Sequence, residues 1–257
     1  GLKIEPIDKK AYIFGSLISP VPFEELVPDG DWTPLLPKPE IQNLNGIEPY
    51  ACVTFTILNA IEILIFRKYR EVKNYSDRFL ATIANTRDGG TTPQIACEFL
   101  RKLGVPPEEV LPFDSSIDTM DKFFAPIAPK VYEIAREFLT EFDFKHEYVP
   151  STPEAILSAI KSSPLGISVT AWFKRGSKYY KPDGMTDNHL TTLIKAVLND
   201  YKRVFDSYAD GEGDPYLKDY EWETKHSVIK RFWIQKKELK KTFWQRVVIW
   251  LKMWYNY

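Results

Sequence analysis

The chain has 257 residues, of which 44% are hydrophobic and 14% aromatic, enough apolar material for the core of one domain or of two small lobes. Its 34 lysine and arginine residues nearly balance its 35 aspartate and glutamate residues, which gives a formal net charge of −1. Neither charge gathers into a long run, so the composition excludes a disordered chain and gives no reason to expect a nucleic-acid partner.

The amino-terminal part shows no targeting signal. Residues 1–20 lack a basic stretch followed by a continuous apolar segment, and the chain begins at Gly1, which is consistent with trimming or processing. The longest apolar stretch, 57–66, is about half the ~20 residues needed to span a bilayer. We therefore expect no membrane-spanning segment.

Residues 16–49 contain many of the prolines and show no sustained periodicity, which predicts an extended segment crossing the surface of the core. From Ala51 to about Tyr69, apolar residues cover most sides of a helix, which predicts a helix in the middle of the protein. Three further helices are predicted, over 92–103, 127–143 and 153–162.

After Pro164 the pattern changes to short runs of β-branched and aromatic residues. The predicted strands cover 165–173, 189–198, 201–207 and 228–235. Asn199-Asp200 predicts a hairpin turn between two of them. Helices followed by antiparallel strands predict an α+β fold, with a cleft between a helical lobe and a sheet lobe as the natural functional site.

The two cysteines, Cys52 and Cys97, are expected to be free thiols, which favours a cytoplasmic or virion-associated location over a secreted one. Cys52 stands at the first turn of the buried helix, where a thiolate is stabilised, although free cysteines often simply pack as small hydrophobic residues. Cys97 lies on the apolar face of the second helix, and we interpret it as such a core thiol.

Three histidines are available to activate a thiol. His189 follows a turn and opens a strand, so its ring is expected at a strand edge facing the cleft. His146 and His226 lie among charged residues and are predicted to be solvated. No cysteine and histidine spacing matches a zinc site, and the acidic loop 206–214 does not follow calcium-loop spacing, so no metal is predicted.

Five separated motifs occur in a characteristic order along the chain. They are Gln42 followed by Cys52 at a helix start, Asp88-Gly89-Gly90 before a helix, Leu103-Gly104-Val105 with Leu111-Pro112-Phe113, Asn188-His189, and Phe205-Asp206-Ser207-Tyr208. In this order the motifs resemble those of the papain-like cysteine peptidases over residues 31–235, and Asp31-Trp32 resembles the start of that family's mature domain.

The resemblance implies a papain-like two-lobed fold over residues 31–238, preceded by an extension of residues 1–30 that is too short for a full inhibitory propeptide. It implies hydrolysis of peptide bonds in a peptide or protein substrate through a thioester acyl-enzyme, with no cofactor. Cys52 would be the nucleophile and His189 the general base and acid. Asp206 would orient the imidazole, where the family usually has asparagine.

The resemblance also assigns the surroundings of this dyad. Gln42 would donate to the oxyanion, but the family usually places this glutamine six residues before the cysteine rather than ten, so Asn45 is a rival. Gly89 and Gly90 would pair with the substrate backbone, although a plain helix-capping turn is the alternative. Tyr208 falls where the family usually has a tryptophan that shields the contact with the imidazole.

Residues 239–257 form a basic and aromatic tail that is predicted to be an amphipathic helix. It could pack on the protein itself, dock to a protein partner, or lie on a membrane surface. The departures at Gln42 and Asp206 keep two alternatives to a peptidase open. One is a weak or inactive papain-fold component of a larger assembly such as a virion, and the other is an amidase acting on cell-wall peptides.

Overall fold

The structure is a computed structural model, and it describes residues 1–7, 11–17, 19, 21–209 and 214–238. The predicted tail, 239–257, lies outside the described residues. Within the described ranges the helices are α1 (Cys52–Tyr69), α2 (Asp77–Ile83), α3 (Pro93–Leu103), α4 (Met120–Phe123), α5 (Pro129–Glu141) and α6 (Pro153–Ala159). The strands are β1 (Phe142–Tyr148), β2 (Leu165–Val169), β3 (Phe173–Arg175), β4 (Lys178–Tyr180), β5 (His189–Val197), β6 (Tyr201–Phe205), β7 (Leu217–Glu221) and β8 (Ile229–Lys236).

Helix α1 is the central helix of the fold, as its sequence predicts. Every side chain from Cys52 to Ile65 is buried, including the charged Glu62. The helix ends at Arg70, which adopts a left-handed conformation with φ 59° and donates its backbone N–H to Phe66 O. Because α1 is apolar on almost all sides, burial against both the sheet and the other helices is its stable arrangement.

The eight strands form one sheet in the order β1-β8-β2-β5-β6-β7-β4-β3. Neighbouring strands pair antiparallel except β4 and β7, which pair parallel. The predicted hairpin is confirmed, since Val197 pairs with Tyr201 and Asn199 takes a positive φ of 59° in the turn. The α+β fold class predicted from the sequence is therefore confirmed.

Several boundaries differ from the prediction, and the strand predicted over 165–173 is in fact β2, which ends at Val169, followed by a turn and β3. The helix predicted over 127–143 ends at Glu141, because Phe142 already takes the extended conformation and opens β1. Strand β1 then pairs with β8 along its full length, from Phe142 opposite Lys236 to Tyr148 opposite Lys230. The two strands lock the carboxyl end of α5 onto the sheet.

The proline-rich stretch crosses the core surface as predicted and contains two short 3-10 helices, Thr33–Leu35 and Leu44–Gly46. Trp32 anchors it: the side chain is fully buried, the indole Nε1 donates to Ile160 O at 2.7 Å, and the backbone N–H donates to Ile194 O at 2.9 Å. The segment that approaches the start of α1 is thereby held against the sheet.

A small apolar cluster supports the chain just before Cys52. Ile47, Ala51 and Phe55 pack there with Phe123 of α4, separately from the main core.

In the described part of the chain no helix combines the length and the apolar character that a membrane crossing requires. The fold thus presents the first turn of α1 and the first residue of β5 on a common face.

Candidate active site

The structure brings Cys52, His189 and Asp206 together. Cys52 is the first residue of α1, His189 the first residue of β5, and Asp206 follows the last residue of β6. All three are buried, and His189 Nε2 lies 2.9 Å from Asp206 Oδ1. Since Nε2 is engaged by the carboxylate, Nδ1 is the ring nitrogen left to interact with the Cys52 thiol.

The electrostatics of this group favour a thiolate and an imidazolium. Burial raises the pKa of the Cys52 thiol, but the charge and hydrogen bond of His189 outweigh it and lower that pKa to about 7. Burial lowers the pKa of His189, but Asp206 and Cys52 outweigh it and raise that pKa to about 10. Between these two pH values the ion pair is the dominant state.

Asp206 is held on both of its oxygens. Oδ1 also accepts the backbone N–H of Tyr208 at 3.2 Å, and Oδ2 lies 3.4 Å from the ammonium of Lys218, whose side chain is fully buried. Burial opposes ionisation of this carboxyl, but His189 and Lys218 lower the pKa of Asp206. The residue is therefore an aspartate, not a neutral acid, at physiological pH.

Two aromatic rings enclose the imidazole. The ring centroid of Tyr208 lies 5.5 Å from that of His189, and the centroid of Trp172 lies 5.4 Å from it. The two aromatic rings contact each other edge to face at 4.7 Å. They separate the hydrogen bond between His189 and Asp206 from bulk water, which strengthens that bond.

Gln42 lies beside this group, whereas Asn45 does not. The buried Gln42 side chain donates to Tyr208 Oη at 2.7 Å and to Glu48 Oε1 at 3.0 Å, and its own Oε1 accepts from Ser207 at 2.7 Å. The Asn45 amide donates to the backbone carbonyls of Asp114 and Ile117. The 3-10 turn Leu44–Gly46 loops out the extra residues, so Gln42 reaches the site despite its longer spacing.

Gly89 and Gly90 precede α3, and both have a positive φ, 81° and 103°. An extended backbone passes against this edge: Thr91 N donates to Gly1 O at 3.1 Å and Lys3 N donates to Thr91 O at 2.9 Å. A Cβ on Gly90 would lie 1.7 Å from Gly1 O. The glycine thus makes room for a peptide backbone, which here comes from the amino-terminal segment of the same chain.

This segment, residues 1–3, covers Cys52. Gly1 N lies 3.4 Å from Cys52 Sγ, and Leu2 N donates to Asn188 O at 3.3 Å. Leu2 itself is buried in the main core. Leu2 pairs parallel to Thr91, and the thiol has no solvent exposure in this arrangement.

The remaining cysteine and histidines lie outside the site. Cys97 is buried on α3 as predicted, and burial raises the pKa of its thiol to about 12. The prediction that His146 and His226 are solvated is wrong, because both are buried. His146 lies between Glu98 and Lys230, and His226 Nδ1 lies 2.6 Å from Ser168 O. Among the described residues, no group of three or more potential ligands could hold a metal ion.

Sequence reasoning missed three residues of this site: Trp172, Lys218 and Glu48. Lys218 left no signal in the sequence, because β7 was not among the predicted strands and the burial of its alternate residues is set by the sheet. Trp172 and Glu48 left none, because each lies outside regular secondary structure and meets the site only through the tertiary fold.

Comparison with solved structures places this architecture among known folds. Xylellain, a cysteine protease from Xylella fastidiosa, is similar with a TM-score of 0.64 and 17% identity over 93% of this chain and 96% of xylellain. The bromelain protease from Ananas comosus in complex with the E64 inhibitor gives a TM-score of 0.58 and 19% identity over 78% of this chain and 96% of its own. A Carica candamarcensis cysteine protease in complex with E-64 gives a TM-score of 0.56 and 16% identity over 82% of this chain and 98% of its own.

The sequence matches no protein-family model and no curated protein. The structural similarities nevertheless extend over most of the chain, and the proteins concerned are papain-like cysteine proteases. The papain-like fold predicted from the sequence motifs is therefore confirmed. At identities of 17% and 19% in the first two comparisons, the similarity defines the fold and leaves the chemistry to the residues of the site.

Proposed function

We propose that the protein is a cysteine peptidase that hydrolyses peptide bonds through a thioester acyl-enzyme. The observation that carries this proposal is the buried group of Cys52, His189 and Asp206, in which the pKa of the thiol is lowered to about 7 and that of the imidazole is raised to about 10. A cysteine that served only packing would resemble Cys97, whose thiol pKa is raised.

In the proposed reaction the Cys52 thiolate attacks the scissile carbonyl carbon, and the carbonyl oxygen becomes an oxyanion. The His189 imidazolium then gives its proton to the leaving amine as the C–N bond breaks. Neutral His189 next takes a proton from water, which attacks the thioester and releases the acid. Asp206 stabilises the imidazolium in both steps without becoming protonated itself.

The oxyanion would be stabilised by the backbone N–H of Cys52 and the side-chain amide of Gln42. Both hydrogens of that amide are engaged, one by Glu48 and one by Tyr208. Substrate binding therefore requires Gln42 to exchange one of these partners for the oxyanion. One such donor contributes about 3–4 kcal/mol to transition-state stabilisation.

The proposed substrate is an extended segment of a peptide or protein. Support comes from the edge at Gly89, Gly90 and Thr91, where residues 1–3 already form backbone hydrogen bonds. A substrate would replace this segment and take over the hydrogen bonds of Thr91. The side chain that replaces Leu2 would take its buried position in the main core cluster.

The test is covalent labelling of Cys52 with E-64 and with iodoacetamide at pH 6, followed by mass spectrometry of the labelled peptides. Because residues 1–3 cover the thiol, wild type and a Leu2→Asp variant are labelled in parallel. We expect Cys52 in the opened variant to react at least tenfold faster than free cysteine and Cys97 to stay unlabelled. Substituting His189→Ala should remove the difference, and equal rates with and without His189 would contradict the proposal.

A second function has one observation in its favour. Residues 1–3 fill the cleft. A papain-fold component of a larger assembly that cleaves no peptide would have a cleft filled in the same way. A peptide-library digest with the Leu2→Asp variant separates the two. Rapid labelling of Cys52 without cleavage of any peptide would favour the assembly component, or an amidase with a narrow substrate such as a cell-wall peptide.

A further inference from the structure

The side of the catalytic group away from the cleft contains a buried cation. Lys218 lies on β7, opposite Val204 of β6, two residues before Asp206. Its side chain has no solvent exposure, and its ammonium lies 3.4 Å from Asp206 Oδ2. Burying an ammonium is costly unless it is paired and hydrogen bonded. The buried ammonium of Lys218 therefore needs interactions that offset the cost of its burial.

The ammonium contacts three parts of the site at once. It donates to the backbone carbonyl of Tyr208 at 2.7 Å, it lies 5.3 Å from the centre of the Trp172 ring, and it faces the carboxylate oxygen that His189 leaves unused. Lys218 thereby connects the carboxylate to the Trp172 ring and to the backbone of Tyr208. Among the described residues, Lys218 and His189 are the two charged partners of the Asp206 carboxylate. Its other contact is the neutral backbone N–H of Tyr208.

We propose that Lys218 is a positioning residue of this site: its buried ammonium fixes the orientation of Asp206 toward His189 and balances the carboxylate charge. This inference rests on the proposed function, since it assigns a role within the same catalytic group. With Lys218 included, the site is a row of four groups whose charges alternate: the Cys52 thiolate, the His189 imidazolium, the Asp206 carboxylate and the Lys218 ammonium. It also explains how an aspartate can take the place that asparagine usually has in papain-like peptidases.

Charge balance gives the proposal a readout that packing alone would not change. Each protonation of the site adds a positive charge, so removing a buried cation makes every protonation easier and moves each transition to higher pH. In the described part of the chain, the charged groups with contacts at the site include His189 on β5, Lys218 on β7, Glu48 before α1 and the nitrogen of Gly1 beside Cys52. Of these, only Lys218 is altered in the test.

The experiment measures the rate of iodoacetamide alkylation at Cys52 from pH 4 to 10 in Leu2→Asp, which uncovers the thiol, and in Leu2→Asp combined with Lys218→Met. Every variant in this comparison, the controls included, is made in the Leu2→Asp background, which serves as the wild-type reference. We expect the pH midpoint to rise by about one unit, which slows alkylation at pH 6 about tenfold. A uniform reduction of the rate with an unchanged midpoint would overturn the proposal, because that is the result of a purely structural role. Lys218→Arg, which keeps the charge, should restore the midpoint.

Lys202→Met is the matched control, because Lys202 is also a buried lysine, lies on the neighbouring strand β6 and donates to the Thr224 carbonyl. Its midpoint should equal that of wild type. If Lys218→Met does not fold, Lys218→Gln, which keeps a polar side chain without the charge, takes its place. Its midpoint should again be higher than that of the reference, and equal midpoints would overturn the proposal.

The proposed function is tested separately, by the wild-type and Leu2→Asp rates. Slow alkylation of Cys52 in both chains would remove the peptidase proposal itself. Rapid alkylation with the same pH midpoint in Lys218→Met would remove only the role of Lys218.

Discussion

At the scale of single residues, the two cysteines show how strongly surroundings decide the state of one side chain. Cys52 and Cys97 are equally buried, and burial alone raises the pKa of a thiol. Only Cys52 has an imidazole partner that is itself backed by a carboxylate, and the pKa values of the two thiols differ accordingly, about 7 against about 12. Position at a helix start contributes only part of this difference.

The role of Gln42 can be tested against its rival at the same scale. We expect Gln42→Ala to lower kcat/KM for a peptide amide about 10²–10³-fold, the effect of removing one oxyanion donor, and to leave the iodoacetamide rate at Cys52 nearly unchanged, because alkylation forms no oxyanion. Asn45→Ala is the control and should keep full activity. Comparable losses in both variants, measured with a fluorogenic peptide that wild type cleaves, would refute the assignment.

The sequence predicted which residues lie together better than it predicted their environment. Cys52, His189, Asp206 and Gln42 were identified from motif order, and the fold brings them together. The burial of His146 and His226 was missed, since neighbouring charged residues suggested solvent on strands and loops that the sheet in fact covers. Which face of a strand is buried depends on its register, and register is set by partners distant in sequence.

At the scale of elements, the apolar helix α1 and strands β5 and β6 were predictable, whereas strand β1, helix α2 and the shortest strands were not. Helix α1 and strands β5 and β6 have patterns that extend over several residues. Strands β3 and β4 have three residues each, too few for any alternation to be recognised. Helix α2 begins at a Ser76 cap, whose side chain accepts from Phe79 N, and such a cap is a weak signal without a longer apolar pattern.

The amino-terminal segment makes a prediction at this scale. We expect Leu2→Asp to accelerate alkylation of Cys52 roughly tenfold or more, because burying a leucine contributes about 1.5–3 kcal/mol and a buried aspartate opposes it. Ile4→Asp is the matched control, since Ile4 is 44% exposed. If both variants label at the wild-type rate, residues 1–3 do not limit access to the thiol.

At the scale of the whole molecule, a group of buried carboxyls makes stability depend on pH. Burial raises the pKa of Glu62 and Asp77 well above the ordinary range and raises that of Glu108 to about 8. A carboxyl whose pKa is higher in the folded state binds an extra proton there between its unfolded pKa of about 4.3 and its folded pKa. The free energy of unfolding therefore falls as pH rises through this interval.

We expect the melting temperature to be lower at pH 8 than at pH 5.5, and the decrease to be smaller in Glu108→Gln, whose amide cannot ionise. The backbone N–H of Phe113 donates to Glu108 Oε1 at 2.6 Å, and the amide oxygen can accept the same bond. Glu109→Gln, an exposed neighbour, serves as the control and should keep the wild-type decrease. Thermal unfolding followed by circular dichroism at both pH values would show an unchanged decrease in Glu108→Gln if Glu108 is not involved.

The parallel pairing of Leu2 with Thr91 has a consequence for any binding measurement. Residues 1–3 are tethered to the cleft they fill, so their effective concentration is fixed by the chain, in the millimolar range typical of short tethers, and dilution does not release them. A peptide added in solution binds only the fraction of molecules that are open, and its apparent dissociation constant is its intrinsic one divided by that fraction. A weak apparent affinity of a peptide for this protein would therefore reflect competition from residues 1–3 as well as the intrinsic affinity of the cleft.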